Sequence, residues 1–219
     1  MGGLNLFSGK AADIIRVLLV NYPTTWALRG LSTESGTALG WTHEVCKALI
    51  QERFAIRESE RQEIKLMDPL VLLKGWANNS NFTAYNRFID YYSSDEDVTK
   101  LFNRLRGVTE PSYAVTGLAG ALLVAPFVRP TNVHIYVKNE DDAKTWAKQL
   151  GLMLIEDNGN VKFAIASGRD VFYGSREVDG VKVVSDVQLY DDLLNYPGRG
   201  EEAAGELLKV IEKRWRSEA

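Results

Sequence analysis

A mixed α/β (α+β) chain in two parts is predicted, on three observations. Apolar residues recur at i, i+3 and i+4 across residues 10–53, the period of helices buried on one face. They alternate with polar residues across 54–66, the period of half-buried strands. From Pro111 onward helical and strand periods take turns. A chain of 219 residues, 45% hydrophobic and 25% charged, fits one large or two small folded domains. That composition excludes a disordered chain, a collagen-like repeat and a coiled-coil rod.

The first helix, Lys10 to Asn21, sets Ala11, Ile14, Ile15, Leu18 and Leu19 on one face, and Pro23 ends it. Thr25 to Glu34 reads as a second helix, with Trp26, Leu28 and Leu31 available to the core. Ser35-Gly36 makes a turn. Thr37 to Arg53 reads as a third helix, capped by Thr37 or Ser35. At about 100° per residue, Ala38, Thr42, Val45, Cys46 and Leu49 share its inner face. Gly40, Glu44, Lys47 and Gln51 fall on the outer face, with Trp41 and His43 on the flanks. A hairpin follows at once. Phe54, Ile56, Ile64 and Leu66 are expected on one side of it, and Arg57, Arg61, Glu63 and Lys65 on the other, with Glu58-Ser59-Glu60 at the tip. Asp68-Pro69 opens a further helix through Trp76. This order describes a winged helix-turn-helix over residues 1–76, its third helix shaped for a DNA major groove and its wing for backbone phosphates.

Residues 77–107 read as a connector with one helix. Asn78-Asn79-Ser80-Asn81 is a polar break, and Phe82 to Tyr92 is aromatic-rich without a clear period. Ser94-Asp95-Glu96-Asp97 starts a helix by capping-box logic, with Val98, Leu101, Phe102 and Leu105 inward and Gly107 as the stop. Residues 108–219 form a mixed α/β domain. Ser112 to Val124 is almost wholly apolar and reads as a buried helix, followed by a strand at Asn132–Val137 and a helix at Asp141–Leu150. Leu152–Ile155 and Val161–Ile165 flank Asn158-Gly159 and read as a hairpin. Val171–Tyr173 and Val181–Val184 read as short strands, and Asp186–Leu194 and Glu201–Arg216 as the closing helices.

Charge bounds the partners. Residues 1–76 carry nine Lys/Arg against eight Asp/Glu, 77–107 four of each, and 108–219 thirteen against seventeen. No segment is strongly basic, so a nucleic-acid reading rests on where a few cations lie. The residues placed at double-stranded DNA are Arg29, Thr37, Gly40, Trp41, His43, Glu44, Lys47, Arg57, Arg61 and Lys65. Arg57, Arg61 and Lys65 suit phosphates, as does Arg29 near the expected backbone crossing. Lys47 reaches a phosphate or a guanine, or is a plain surface lysine. Trp41 presses on a thymine methyl or packs against the wing; His43 contacts DNA or is simply solvated. Glu44 accepts from a cytosine amine or weakens binding. So few cations per subunit favour a homodimer or cooperative binding across a palindrome.

For catalysis and cofactors the sequence offers little. Cys46 is the single cysteine and His43 and His134 the only histidines, far apart, so no metal site or disulfide is expected. The order helix, strand, helix, strand resembles a minimal nucleotidyltransferase fold, which makes such an enzyme the rival reading. Its metal needs paired carboxylates on the strand that instead reads Asn132-Val133-His134-Ile135-Tyr136. The domain is therefore expected to resemble a degenerate nucleotidyltransferase, with no catalytic residues and no cofactor. Asp141-Asp142 stands at a helix start, where acidic residues cap. Gly198-Arg199-Gly200-Glu201-Glu202-Ala203 matches a dinucleotide fingerprint in form, but a helix precedes it and two glutamates stand where a pyrophosphate would. A third reading is a winged helix that contacts protein. No run of about 20 apolar residues or signal peptide is seen, so a cytoplasmic protein with no membrane contact is expected.

The chain from Leu28 through Leu49, the hairpin and Asp68–Trp76 resembles the winged-helix domain of AbiEi-type antitoxin transcription regulators. Tyr113–Leu123 with Ala125-Pro126-Phe127, Val133–Val137 and Leu189–Ala204 resemble that family's C-terminal domain. The resemblance implies a DNA-binding antitoxin that represses its own type IV toxin–antitoxin operon beside a nucleotidyltransferase-like toxin.

Overall fold

A computed structural model describes residues 4–58, 62–95, 97–166 and 170–218 of the chain. They fall into two compact units, Met1–Ser80 with Val210–Ala219, and Asn81–Lys209. The first unit holds twelve Lys/Arg against ten Asp/Glu and the second fourteen against nineteen, so the positive balance lies with the first unit.

In the first unit, α1 (Gly9–Val20) buries Ala11, Ile14, Ile15, Leu18 and Leu19, as their spacing predicts. α2 (Leu28–Glu34) starts later than expected. Trp26 is extended instead: its N–H donates to Ile64 O at 2.9 Å and the Ile64 N–H returns to Trp26 O at 2.8 Å. α3 (Leu39–Gln51) buries Thr42, Val45, Cys46 and Leu49. Its N-cap position is Ala38, without a side-chain bond, so the predicted cap at Thr37 or Ser35 is corrected. The hydroxyls of Ser35 and Thr42 each lie 2.8 Å from Thr37 Oγ1, which ties Thr37 into the turn.

β1 (Ala55–Arg57) and β2 (Ile64–Leu66) pair antiparallel, with Ala55 opposite Leu66, Ile56 opposite Lys65 and Arg57 opposite Ile64. Cross-strand partners share a face, so Ile56 stands outside with Lys65, and Arg57 takes the side of Ile64. The expected single cationic face is corrected. Small, buried Ala55 fills the inward position, and a shift of one residue turns every side chain over. Arg61 and the tip residues Ser59 and Glu60 lie outside the described residues. α4 (Pro69–Asn78) follows, its start fixed by Asp68 Oδ1 accepting from Val71 N–H at 3.0 Å. Its Trp76 is fully buried under the Arg16 guanidinium, 5.3 Å from the ring centroid. The end of the C-terminal helix belongs to this unit, where Trp215 packs on Tyr22 with ring centroids 5.4 Å apart.

The second unit is a mixed sheet with helices. In chain order it runs α5 (Phe82–Tyr85), β3 (Asn86–Tyr92), α6 (Val98–Leu105), β4 (Tyr113–Thr116), α7 (Gly117–Val124) and β5 (Val133–Val137). α8 (Glu140–Leu150), β6 (Met153–Leu154), β7 (Val161–Ala166), β8 (Arg176–Val178), β9 (Val181–Val183), α9 (Asp186–Leu194) and α10 (Gly200–Glu218) complete it. α10 runs on into the first unit. The strand order is β6-β3-β7-β5-β4-β9-β8, with β5/β7 and β4/β9 parallel and the other neighbours antiparallel. One core gathers Tyr91, Leu101, Phe102, Val115, Ile135, Trp146 and Phe163.

Three expectations are corrected here. Residues 112–124 are a strand and then a helix: a wholly buried strand loses its alternation, and Gly117, at φ +60, turns the chain between the two. The helix that opened the nucleotidyltransferase-like order is thereby divided. Leu152–Ile155 and Val161–Ile165 do not pair, because β3 lies between β6 and β7. Val171–Tyr173 is a turn; the strand comes at Arg176–Val178 and closes a hairpin with β9 through Asp179-Gly180.

Candidate nucleic-acid interface and a buried polar layer

The inner residues of α3 are consumed by the core, so its other side is left to solvent. Gly40, Trp41, His43, Glu44 and Lys47 are all exposed there, and Arg29 on α2 is exposed as well. Arg57 and Lys65 are exposed on opposite faces of the hairpin. Their partners are weak ones at the surface: Lys65 Nζ stands 3.4 Å from Glu58 Oε1, and Arg57 Nη1 donates to Gln62 Oε1 at 3.5 Å. Such contacts contribute roughly 0–1 kcal/mol and yield readily to a phosphate. His43 Nδ1 lies 3.3 Å from Glu44 Oε1, so these two neighbours pair on the exposed surface.

Thr37 differs from the others. It is 8% exposed, and its hydroxyl joins those of Ser35 and Thr42. Thr37→Val is expected to lower stability by about 1–3 kcal/mol, the cost of stranding buried polar partners. Urea denaturation measures this, and a change below about 0.3 kcal/mol would contradict the hydroxyl's part in the turn. Trp41 is 39% exposed and lines a cavity of about 610 Å³ with Ser8, Lys10, Gly36 and Ala38. It sits beside the start of α1. Cys46 is fully buried, which pushes its thiol up to about 12 and leaves it an inert core residue.

A second polar assembly lies within the second unit. Asp90, Lys162, His134 and Thr116 stand in register across β3, β7, β5 and β4. Lys162 Nζ pairs with Asp90 Oδ2 at 2.5 Å. Asp192 from α9 accepts the Thr116 hydroxyl at 2.5 Å, the Tyr136 hydroxyl at 3.1 Å and Gln188 Nε2 at 2.8 Å. Burial, and then the neighbouring Asp191, raise the Asp192 carboxyl to about 7. Burial, and then Lys162, lower His134 to about 4, so it is neutral between its aromatic neighbours Phe82, Phe88 and Tyr196. The layer fastens α9 to the sheet. The sequence alone assigns His134 no role on its strand and does not single out Asp192. The available signal was an Asp191-Asp192 pair inside a helix flanked by apolar residues.

The dinucleotide-like stretch is a helix corner. A Cβ on Gly200 would lie 2.5 Å from Leu193 O and 2.5 Å from Tyr196 Cβ, and Ala203 and Ala204 are buried. Arg199 holds Glu202 at 2.7 Å and lies over Phe127. The glycine therefore answers to close backbone packing. Among the described residues no three His, Cys, Asp or Glu side chains are grouped to hold a metal ion, and no helix is long and apolar enough to cross a membrane.

The molecule is thus a two-unit mixed α/β protein that presents one face of a helix beside a hairpin with exposed cations. It belongs to the family described as transcriptional regulator, AbiEi antitoxin, type IV TA system, whose model matches residues 65–212. The match begins within β2 and takes in α4 and the whole second unit, while α1 to α3 and β1 precede it. No curated protein and no solved structure matches the chain.

Proposed function

We propose that this protein is a DNA-binding repressor of its own operon and the antitoxin of a type IV toxin–antitoxin pair. In this reading residues 1–76 are a winged helix-turn-helix that binds an operator, and the second unit, in which the expected connector 77–107 instead supplies the inner strand β3 and helix α6, serves the antitoxin role toward a nucleotidyltransferase-like toxin. The observation that carries it is the exposed row Gly40, Trp41, His43, Glu44 and Lys47 on α3, beside exposed Arg57 and Lys65. The Trp26–Ile64 bridge supports it too, since it extends the hairpin next to the helices as a wing requires. Arg29 and Arg61 join the phosphate contacts, and Thr37 holds the turn that aims α3. Two copies on a palindrome compensate for the few cations in each. The protein acts in the cytoplasm as a regulator without catalysis or cofactor.

The test is retardation of DNA from upstream of its own gene, at several salt concentrations. Replacing Arg57, Arg61 and Lys65 together by Ala should weaken binding at least about tenfold and reduce the salt slope by about 3, near 0.9 per lost phosphate contact. Equal affinity and slope after that change would overturn the wing's role. Absence of any retardation at low salt would overturn the DNA reading as a whole.

A further inference from the structure

The second unit contains a cavity of about 510 Å³ whose floor is Val98, Leu101, Val133 and Val161. That volume is typical of small-molecule sites, which pair an apolar lining with a few fixed polar groups. The walls here are fixed. Asn160 Oδ1 accepts from Ser93 N–H at 2.7 Å, and Asn160 Nδ2 donates to Ser93 O at 2.8 Å. Asp95, also on the rim, is occupied by Lys100 at 3.3 Å and by Arg104.

Two rim charges are left with capacity. Asp97 caps α6 by accepting from Thr99 N–H at 3.0 Å. Hydrogen bonds from Thr99, and then the nearby Arg129, hold its carboxyl below the usual carboxylate range. Arg129 is exposed at the mouth and has no hydrogen bond or ion pair among the described residues. A simple anion attracted to Arg129 would meet the carboxylates of Asp97 and Asp95, and a simple cation attracted to Asp97 would meet Arg129. A molecule carrying both charges on one small centre satisfies both, and an apolar body then fits the floor.

We propose that this cavity binds a free α-amino acid with an apolar side chain, its carboxylate on Arg129, its ammonium on Asp97 and its side chain on Val98, Leu101, Val133 and Val161. The proposal does not rest on the DNA reading, because every residue lining the cavity belongs to the second unit.

Isothermal titration of the full chain tests it with L-leucine, L-valine, L-methionine and L-phenylalanine, each to about 10 mM, a range that reaches weak affinities. At least one should bind. For that amino acid, the analogue lacking the ammonium and the analogue lacking the carboxylate should each bind at least about tenfold more weakly. Arg129→Gln and Asp97→Asn should each cost a similar factor; Asn is as good a helix cap as Asp, so α6 keeps its start. No binding by any of the four would overturn the proposal. So would equal affinity for a singly charged analogue, or undiminished binding to Arg129→Gln. If Asp97→Asn fails to fold, the analogues and the Arg129 variant decide alone.

Discussion

Asp192→Asn is expected to stabilise the protein at pH 8 by about 4 kcal/mol more than it does at pH 4. The size comes from a carboxyl at about 7 when folded against 3.8 when free, at about 1.4 kcal/mol per unit. Because the folded value is the higher one, the wild-type contribution is complete below about pH 4 and is lost as pH rises through 7. Asparagine keeps the neutral state at every pH. It also fits the site, since its oxygen can accept from Tyr136 and Gln188 while its amide donates to the Thr116 hydroxyl. His134 runs the other way. Its folded value of about 4 lies below the free 6.5, so its contribution is present above 6.5 and lost as pH falls toward 4. In the wild type the two slopes oppose each other between about pH 4 and 6.5. Without Asp192 the histidine limb stands alone, and the variant should lose about 3 kcal/mol over that interval from this group. Urea midpoints at unit steps from pH 4 to 8 measure both effects. Parallel curves for variant and wild type would show that Asp192 is not neutralised by folding.

The first helices were legible because the apolar positions recur at helical spacing, although α1 also buries Ala12, Arg16 and Val17 around the rest of its girth. Thr42, Val45, Cys46 and Leu49 are buried as their angular spacing requires, and so are Ile14, Ile15, Leu18 and Leu19. α9 was legible to the residue at both ends: Ser185 accepts from Gln188 N–H at its start, and its apolar run ends at Leu194. The hairpin failed by one position. Its strands are three residues long, so a single choice between Ala55 and Ile56 decides the pleat, and hydrophobicity alone favours the wrong one. That error matters for the site, because it moves Arg57 and Lys65 to opposite faces.

In the second unit the missing information was long-range. Asn158-Gly159 has the composition of a tight hairpin, and Asn158 does take a positive φ of 61. Yet six residues separate β6 from β7, and β3, distant in sequence, occupies the space between them. No local pattern announces such an insertion. β3 itself was obscured because Phe88 and Ile89, on opposite faces, are both apolar, and β4 because all four of its residues are buried. The hairpin that does exist there, Arg176–Val178 with Val181–Val183, carried its own signal in Asp179-Gly180, whose φ values of 50 and 78 suit a two-residue turn.

Two alanines in α10 should have opposite effects. Gly200→Ala forces a methyl to 2.5 Å from Leu193 O and 2.5 Å from Tyr196 Cβ. The oxygen is backbone at the end of α9, and Tyr196 is half-buried against Phe82 and His134, so neither yields without opening the corner. A loss of about 3 kcal/mol or more is expected, at the upper end for overpacking, because backbone has to move. Gly205→Ala meets nothing within 4 Å on the exposed side of the same helix and should gain about 0.5–1 kcal/mol from helix propensity. Thermal melts of the two variants beside the wild type separate a steric demand from a general cost of altering α10. If Gly200→Ala melts with the wild type, the corner has room, and the Gly-x-Gly spacing would need another explanation. If both variants fall together, helix propensity is not what limits α10 at Gly205.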